Sequence, residues 1–299
     1  MTASAPFAGQ TRQDALDSLV SRFRAANLDS PLADARLLLA HALDVNRLAL
    51  LTDQTAKVTP DEWSAIQSIA KRRLSHEPVS RIIGERWFYG RPFRVTSATL
   101  DPRPDTETII DAAKTLFAER GSSPSRILDI GTGTGCILLT LLAEFPGAIG
   151  TGVDISEAAL DVARLNANDL GLIDRASFIL GSDFGLSTGP YDLIVSNPPY
   201  IPTADIEALA PDVKDFDPRL ALDGGADGLA VYRRLASEYS HYLSDGWLIL
   251  EVGHDQAEAV SALFRGTSGE EQQPDIRTFN DLGGVTRCVA TRPRLVATR

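Results

Sequence analysis

Ile127-Leu128-Asp129-Ile130-Gly131-Thr132-Gly133-Thr134-Gly135 carries a short apolar run into a loop with glycine at every second position, and a second apolar run then begins at Ile137. The first run reads as a buried β-strand and the second, over residues 137–142, as a helix. Glycines at such a junction let the backbone turn tightly and let a small ligand approach bare amides at a helix N-terminus.

Working outward, the same alternation repeats. Thr151-Gly152-Val153-Asp154 predicts a second strand, Ser156 caps a helix over residues 157–169, residues 178–180 a third strand and residues 191–195 a fourth. A helix over residues 229–243, a strand over 247–252, a helix over 256–264 and two strands near 276–279 and 287–291 complete the pattern. Strands alternating with helices predict an α/β fold, a mostly parallel sheet covered on both faces.

Ligands of open α/β sheets bind outside the C-terminal ends of the strands. A dinucleotide loop wants its third glycine at position 136, where this chain has Cys136; the closer spacing here is that of S-adenosylmethionine (SAM) enzymes. Gly131, Thr132, Gly133, Thr134 and Gly135 are therefore candidate cofactor contacts. Asp129 is expected to face the ammonium group. Asp154, ending the second strand, is placed to accept hydrogen bonds from a ribose diol. Asp183 supplies an acceptor for an exocyclic amine and Phe184 a ring for adenine stacking.

The fourth strand ends in Asn197-Pro198-Pro199-Tyr200, a tetrapeptide that fixes its own backbone and offers bare carbonyls beside a side-chain amide and a flat ring. Such a group suits the holding of a planar nitrogen. Asn197 also borders the expected cofactor site.

Composition narrows the partners. The chain has 299 residues, 43% of them hydrophobic, and a formal charge of -11. An acidic surface opposes tight binding to a phosphate backbone, which requires clustered Lys and Arg, so direct nucleic-acid binding is not expected. Two cysteines and four scattered histidines predict neither a disulfide framework nor a metal site. No leader-like or membrane-spanning run occurs in the sequence, which fits a cytoplasmic protein.

The N-terminal part, residues 1–80, reads as a helical domain, with Ser30-Pro31 and Thr59-Pro60 opening two of its helices. It is either a stabilising or dimerising appendage or a substrate-recognition module. Residues 81–101 change period around glycine turns and predict a β-hairpin linker, with Arg81-Ile82-Ile83-Gly84 included in it. Residues 102–299 form the α/β domain. At its start, Asp101-Pro102-Arg103-Pro104-Asp105-Thr106-Glu107 spans the boundary with the linker, a stiff segment readable as a plain linker or as part of a site.

The glycine loop followed by Asn197 to Tyr200 resembles class I SAM-dependent methyltransferases that modify planar nitrogens. Three further stretches narrow the resemblance. They are Phe88-Tyr89-Gly90 with Pro102-Arg103-Pro104-Asp105-Thr106-Glu107; Asp217-Pro218-Arg219-Leu220-Ala221-Leu222-Asp223-Gly224-Gly225-Ala226-Asp227-Gly228-Leu229; and Leu250-Glu251-Val252-Gly253. With these, residues 12–292 are similar to the HemK/PrmC family, the peptide chain release factor glutamine methyltransferases. The resemblance implies a class I SAM-dependent methyltransferase fold (Rossmann-like) with a small helical N-terminal domain. The implied reaction is methylation of the glutamine amide in the Gly-Gly-Gln motif of class 1 release factors, leaving S-adenosyl-L-homocysteine. It also implies that Arg103 shapes the substrate loop.

A neutral amide nitrogen is a poor nucleophile because its lone pair is delocalised, so it must be aimed. The Asn197 side-chain oxygen and the Pro198 carbonyl are expected each to accept one N–H of the substrate amide, Pro199 to stiffen them, and Tyr200 to pack on the amide plane. No carboxylate or histidine is evidently placed to take the proton. The same tetrapeptide also suits a nucleic-acid N-methyltransferase acting on adenine N6 or guanine N2, or a glutamine methyltransferase of a ribosomal protein. A scaffold that binds SAM without turnover is a third reading.

Overall fold

The computed structural model describes residues 9–182, 184, 188–266 and 273–294. Contacts divide the chain into two compact units, residues 1–84 with 211–216, and residues 85–210 with 217–299.

The first unit is helical: α1 (Arg12–Ala25), α2 (Pro31–Ala42), α3 (Arg47–Thr52), α4 (Pro60–Leu74) and α5 (Val79–Ile83). Capping boxes, in which a threonine hydroxyl and an acidic side chain each satisfy an end amide of the other's residue, start α1 at Thr11 and α4 at Thr59. Ser30 makes no side-chain cap, so Pro31 alone opens α2 there. Phe23, Leu38, Leu39 and Ile66 close the core, and Arg73 is tied to Asp34 at 2.8 Å. Residues 81–83, expected in the hairpin linker, belong instead to α5, which ends where Gly84 adopts φ +81°.

The second unit begins with an antiparallel hairpin, β1 (Glu85–Phe88) and β2 (Arg91–Arg94), turned at Tyr89-Gly90. Next come α6 (Glu107–Glu119), β3 (Arg126–Ile130), α7 (Cys136–Glu144), β4 (Ile149–Asp154), α8 (Glu157–Asp169), β5 (Ala176–Leu180) and β6 (Tyr191–Ser196). The four-residue α9 (Pro211–Lys214) falls in the stretch grouped with the first unit. α10 (Ala230–Glu238), β7 (Leu243–Glu251), α11 (Ala257–Gly266), β8 (Asp275–Asn280) and β9 (Thr286–Arg292) follow.

The sheet order is β5-β4-β3-β6-β7-β9-β8, parallel from β5 to β7 and antiparallel at β9 and β8. One face packs Ile127, Leu193, Val195 and Trp247 against Ile109, Leu116 and Leu138 of α6 and α7. The other packs Leu128, Ile194 and Leu248 against Tyr232, Leu235 and Phe264 of α10 and α11. Because both faces are buried, these strands read as continuous apolar runs. The chain winds one way from β3 to β4 and β5, then returns to place β6 on the other side of β3. That reversal opens a crevice between the ends of β3 and β6.

Candidate active site

β3 and β6 pair in parallel with Ile130 opposite Ser196, so Gly131 and Asn197 leave adjacent strands side by side. The Ser196 hydroxyl donates to the Ile130 carbonyl at 2.7 Å and pins the two strand ends together. One cavity at this edge is lined by Gly131, Thr132, Gly133, Thr134, Asp154, Arg103 and Asn197-Pro198-Pro199. These predicted residues, separated by up to 96 positions in sequence, thus share one site.

The glycine loop is held from below. Gly131 N and Thr132 N donate to the Val153 carbonyl at 2.8 and 3.0 Å, and Gly133 N donates to Asp154 Oδ2 at 2.9 Å. The other Asp154 oxygen accepts from Ser156 N at 2.9 Å. Each carboxylate oxygen keeps a further lone-pair direction, so an anchored Asp154 still has acceptors to offer at the cavity wall. Ser156 caps α8 through Ala159 N, as expected. Gly135, φ +78°, does not line the cavity; a Cβ there would stand 3.1 Å from Leu139 Cδ1, so this glycine serves the close start of α7.

Asp129 does not face the cavity. It lies one residue inside the end of β3, fully buried, and its Oδ2 accepts the Thr132 hydroxyl at 2.7 Å. Burial pushes its carboxyl up to about 7, against the hydrogen bond from Thr132. Its place is under the glycine loop. Phe184 also differs from expectation: its ring is 1% exposed and stacks on Tyr242 at 4.4 Å between centroids, in the apolar layer behind β6. Gly181, Ser182 and Ile155 line that end of the cavity. Asp183 lies outside the described residues.

Tyr200 is likewise absent from the cavity wall. After Pro199 the chain runs beside residues 222–225: Ile201 N donates to the Leu222 carbonyl at 3.0 Å and Gly224 N to the Ile201 carbonyl at 2.8 Å. That course folds the Tyr200 ring back against the α10 layer, where burial raises its hydroxyl to about 12. Gln256 Nε2 donates to the Tyr200 carbonyl at 2.9 Å. Gly224 and Gly228 come closer still, since a Cβ on Gly228 would stand 2.3 Å from the Tyr200 carbonyl oxygen. The glycine-rich segment after β6 is thus a brace for the tetrapeptide.

Two residues at the site carry more than sequence reasoning assigned them. Thr106, buried at the start of α6, accepts a hydrogen bond from Asn197 Nδ2 at 3.3 Å, which turns the Asn197 oxygen away from α6. Asp217, from the segment after α9, forms a 2.6 Å ion pair with Arg103. Neither has a sequence signal beyond its place in a motif.

The arrangement offers bare amides and a strand-end carboxylate on one side, and a fixed amide oxygen with proline carbonyls on the other. That is a seat for a nucleoside-bearing ligand next to a hydrogen-bond acceptor pair for an NH₂ group.

Comparison with known proteins agrees with this reading. The chain matches the family descriptions "PrmC N-terminal domain" over residues 14–84 and "Methyltransferase small domain" over residues 106–211. It is 45% identical over 291 residues to a release factor glutamine methyltransferase of Bradyrhizobium diazoefficiens, spanning 97% of each chain. It is 47% identical over 280 residues to one of Rhodospirillum rubrum, spanning 93% of this chain and 84% of that one. Among solved structures, the hMettl16 catalytic domain in complex with a 3′UTR hairpin superposes with a TM-score of 0.54 at 16% identity, covering 67% of this chain and 74% of that chain. This is a likeness of fold.

Proposed function

The chain belongs to the release factor glutamine methyltransferase family, and from that premise we propose that it methylates the side-chain nitrogen of the glutamine in the Gly-Gly-Gln motif of class 1 peptide chain release factors. The single observation that carries this reading is 45% identity sustained over 97% of both chains. The side-by-side exit of the glycine loop and Asn197 supports it. The chain is a SAM-dependent methyltransferase.

SAM, when bound, supplies an electrophilic methyl group on a sulfonium, so the protein needs no nucleophile of its own. Gly131 to Thr134 would hold the amino-acid end and Asp154 the ribose, with Ile155 and Ser182 beside the base. Asn197 Oδ1 and the Pro198 carbonyl would each accept one N–H of the substrate amide and aim its lone pair at the methyl group, and the proton that the nitrogen then loses would pass by way of these acceptors to water. Pro199 removes a competing backbone donor. Arg103, held by Asp217, would border the entering substrate loop. The helical unit of residues 1–84 would recognise the release factor. No helix of the described residues is long and apolar enough to cross a membrane, which suits a cytoplasmic role in translation termination.

The test is incubation of the protein with labelled SAM and, in parallel, release factor, ribosomes or DNA. Label on the release factor glutamine supports the proposal; label confined to ribosomal protein, RNA or DNA overturns it.

A further inference from the structure

Glu251 ends β7 beneath the tetrapeptide, 2% exposed, and its Oε2 has no hydrogen-bond partner among the described residues. Such a carboxylate is costly to bury, and the function above gives it no work. Its surroundings are unusual. Thr106 and Asn197 reach it with their side chains, Arg287 of β9 and Asp105 ahead of α6 act on it by charge, and Tyr200 and Cys288 feel its charge in turn. The Tyr232 hydroxyl of α10 binds its backbone carbonyl at 2.7 Å, not its carboxyl. Arg287 is shared with Asp105 and Asp281, each at 3.0 Å.

The polarity of this network bears on the reaction. Asn197 Nδ2 donates to Thr106 Oγ1. A threonine hydroxyl that accepts there directs its own single proton elsewhere, and an ionised Glu251 is the acceptor at hand. A chain of donation from Asn197 through Thr106 to Glu251 leaves Asn197 Oδ1 facing the cavity. If Glu251 carries a proton, the chain reverses: the carboxyl donates to Thr106, Thr106 donates to the Asn197 oxygen, and the Asn197 NH₂ turns to the substrate. Two NH₂ groups then meet, and the substrate amide is no longer held.

We infer that Glu251 is a positioning residue: by its contacts with Thr106 and Asn197 it fixes the orientation of the Asn197 side-chain amide, so that saturated turnover falls when Glu251 takes up a proton. The inference rests on the proposed glutamine methylation and deepens it. Burial pushes the Glu251 carboxyl up to about 7, so the orientation switches within the neutral range. A carboxylate raised in this way is protonated below that value and ionised above it. Turnover therefore falls as pH drops.

The experiment measures kcat for release factor methylation at saturating SAM between about pH 6 and about pH 8.5 in wild type, Glu251→Gln and Thr106→Val. Wild-type turnover on the release factor is measured first; its absence would overturn the proposed function. With turnover present, the expected result is a wild-type kcat that falls with an apparent pKa near 7. Both variants are expected to lose that acid limb and, above pH 8, to run about tenfold slower with unchanged SAM affinity. Asp129 also titrates near 7, but it lies under the glycine loop in both variants and would move SAM affinity instead of saturated turnover. The second readout is the side-chain amide resonance of Asn197 in isotope-labelled protein, which should titrate near 7 in wild type and not in Glu251→Gln. If either variant binds SAM and keeps the wild-type limb, or if the Asn197 resonance does not titrate in wild type, the inference is overturned.

Discussion

Arg103 Nη2 lies 2.6 Å from Asp217 Oδ2, an ion pair between residues 114 positions apart, with the aspartate side chain 1% exposed and the arginine 36%. The second Asp217 oxygen accepts from Asp101 N at 3.2 Å, so one carboxylate holds both the backbone and the side chain of the proline-flanked segment. Breaking the pair from the aspartate side should free Arg103 without stranding it, because the guanidinium reaches water. Asp217→Ala is expected to raise KM for the release factor about tenfold, equivalent to about 1.4 kcal/mol, with SAM affinity unchanged. Arg103→Ala should do the same, and the double variant should be no worse than either single one, as partners in one interaction behave. Steady-state kinetics of the three proteins decide it.

Asn197→Ala removes the amide oxygen proposed to aim the substrate. Loss of one preorganised acceptor of this kind costs about 2.7–4 kcal/mol, so kcat should fall by about 10² to 10³. SAM should still bind within about threefold of wild type, measured by calorimetric titration. Retained turnover above about one-tenth of wild type would remove Asn197 from its assigned role.

At the other end of the cavity, Asp154 ties Gly133 N and Ser156 N together and is proposed to bind the ribose. Hydrogen bonds to a charged group are worth about 1.5–3 kcal/mol, and Asp154→Ala should weaken SAM binding about 10- to 100-fold. Turnover at saturating SAM should change much less. A titration with SAM separates the two quantities.

Gly228 adopts φ +74°, and a Cβ there would stand 2.3 Å from the Tyr200 carbonyl oxygen and 2.7 Å from Gln256 Nε2. The backbone atom cannot yield as a flexible side chain would, so Gly228→Ala should shift the tetrapeptide. The expected signature is a fall in kcat of about tenfold or more with SAM affinity retained, and a lowered thermal midpoint. A fully active Gly228→Ala would show that this brace is not needed.

Phe184 is stacked on Tyr242 and buried, whereas its sequence position after β5 suggested a cofactor contact. Phe184→Ala should therefore destabilise the fold by about 3–5 kcal/mol through the cavity it leaves. The SAM affinity of the folded fraction should stay near wild type. Chemical denaturation and SAM titration on the same preparation distinguish the structural role from the cofactor role.

The strand–glycine–helix order was readable because each step changes period or composition. Ile127 to Ile130 is apolar on both faces, the glycines break it, and the helix resumes, so the α/β class and the SAM edge of the sheet followed from residues alone. The end of β6 was equally plain, since two consecutive prolines cannot continue a ladder. What was not legible depends on distance and direction. Nothing local to Asp129 says that its carboxyl points under the loop, because that is set by its neighbours Gly152 and Val195 on β4 and β6. Tyr200 was misplaced for a related reason: its ring direction follows from the pairing of Ile201 with Asp223, a contact between segments 22 residues apart.

Residues 81–84 read as strand in the sequence because Ile82-Ile83-Gly84 is too short to show a helical period, and a capping glycine has the same signature as a hairpin turn. The Thr106, Asp217 and Glu251 contacts were hidden in stretches that marked the family but carried no evident chemistry. Thr106 and Asn197 are 91 positions apart, Arg103 and Asp217 114, and Thr106 and Glu251 145.

The most direct measurement is the mass of the Gly-Gly-Gln peptide from a class 1 release factor, before and after reaction with this protein and SAM, with fragmentation to place the added mass. The account predicts one methyl group on the glutamine side chain, absent when Asn197→Ala replaces the wild type. An unmodified glutamine together with methyl groups on ribosomal protein or nucleic acid would contradict it.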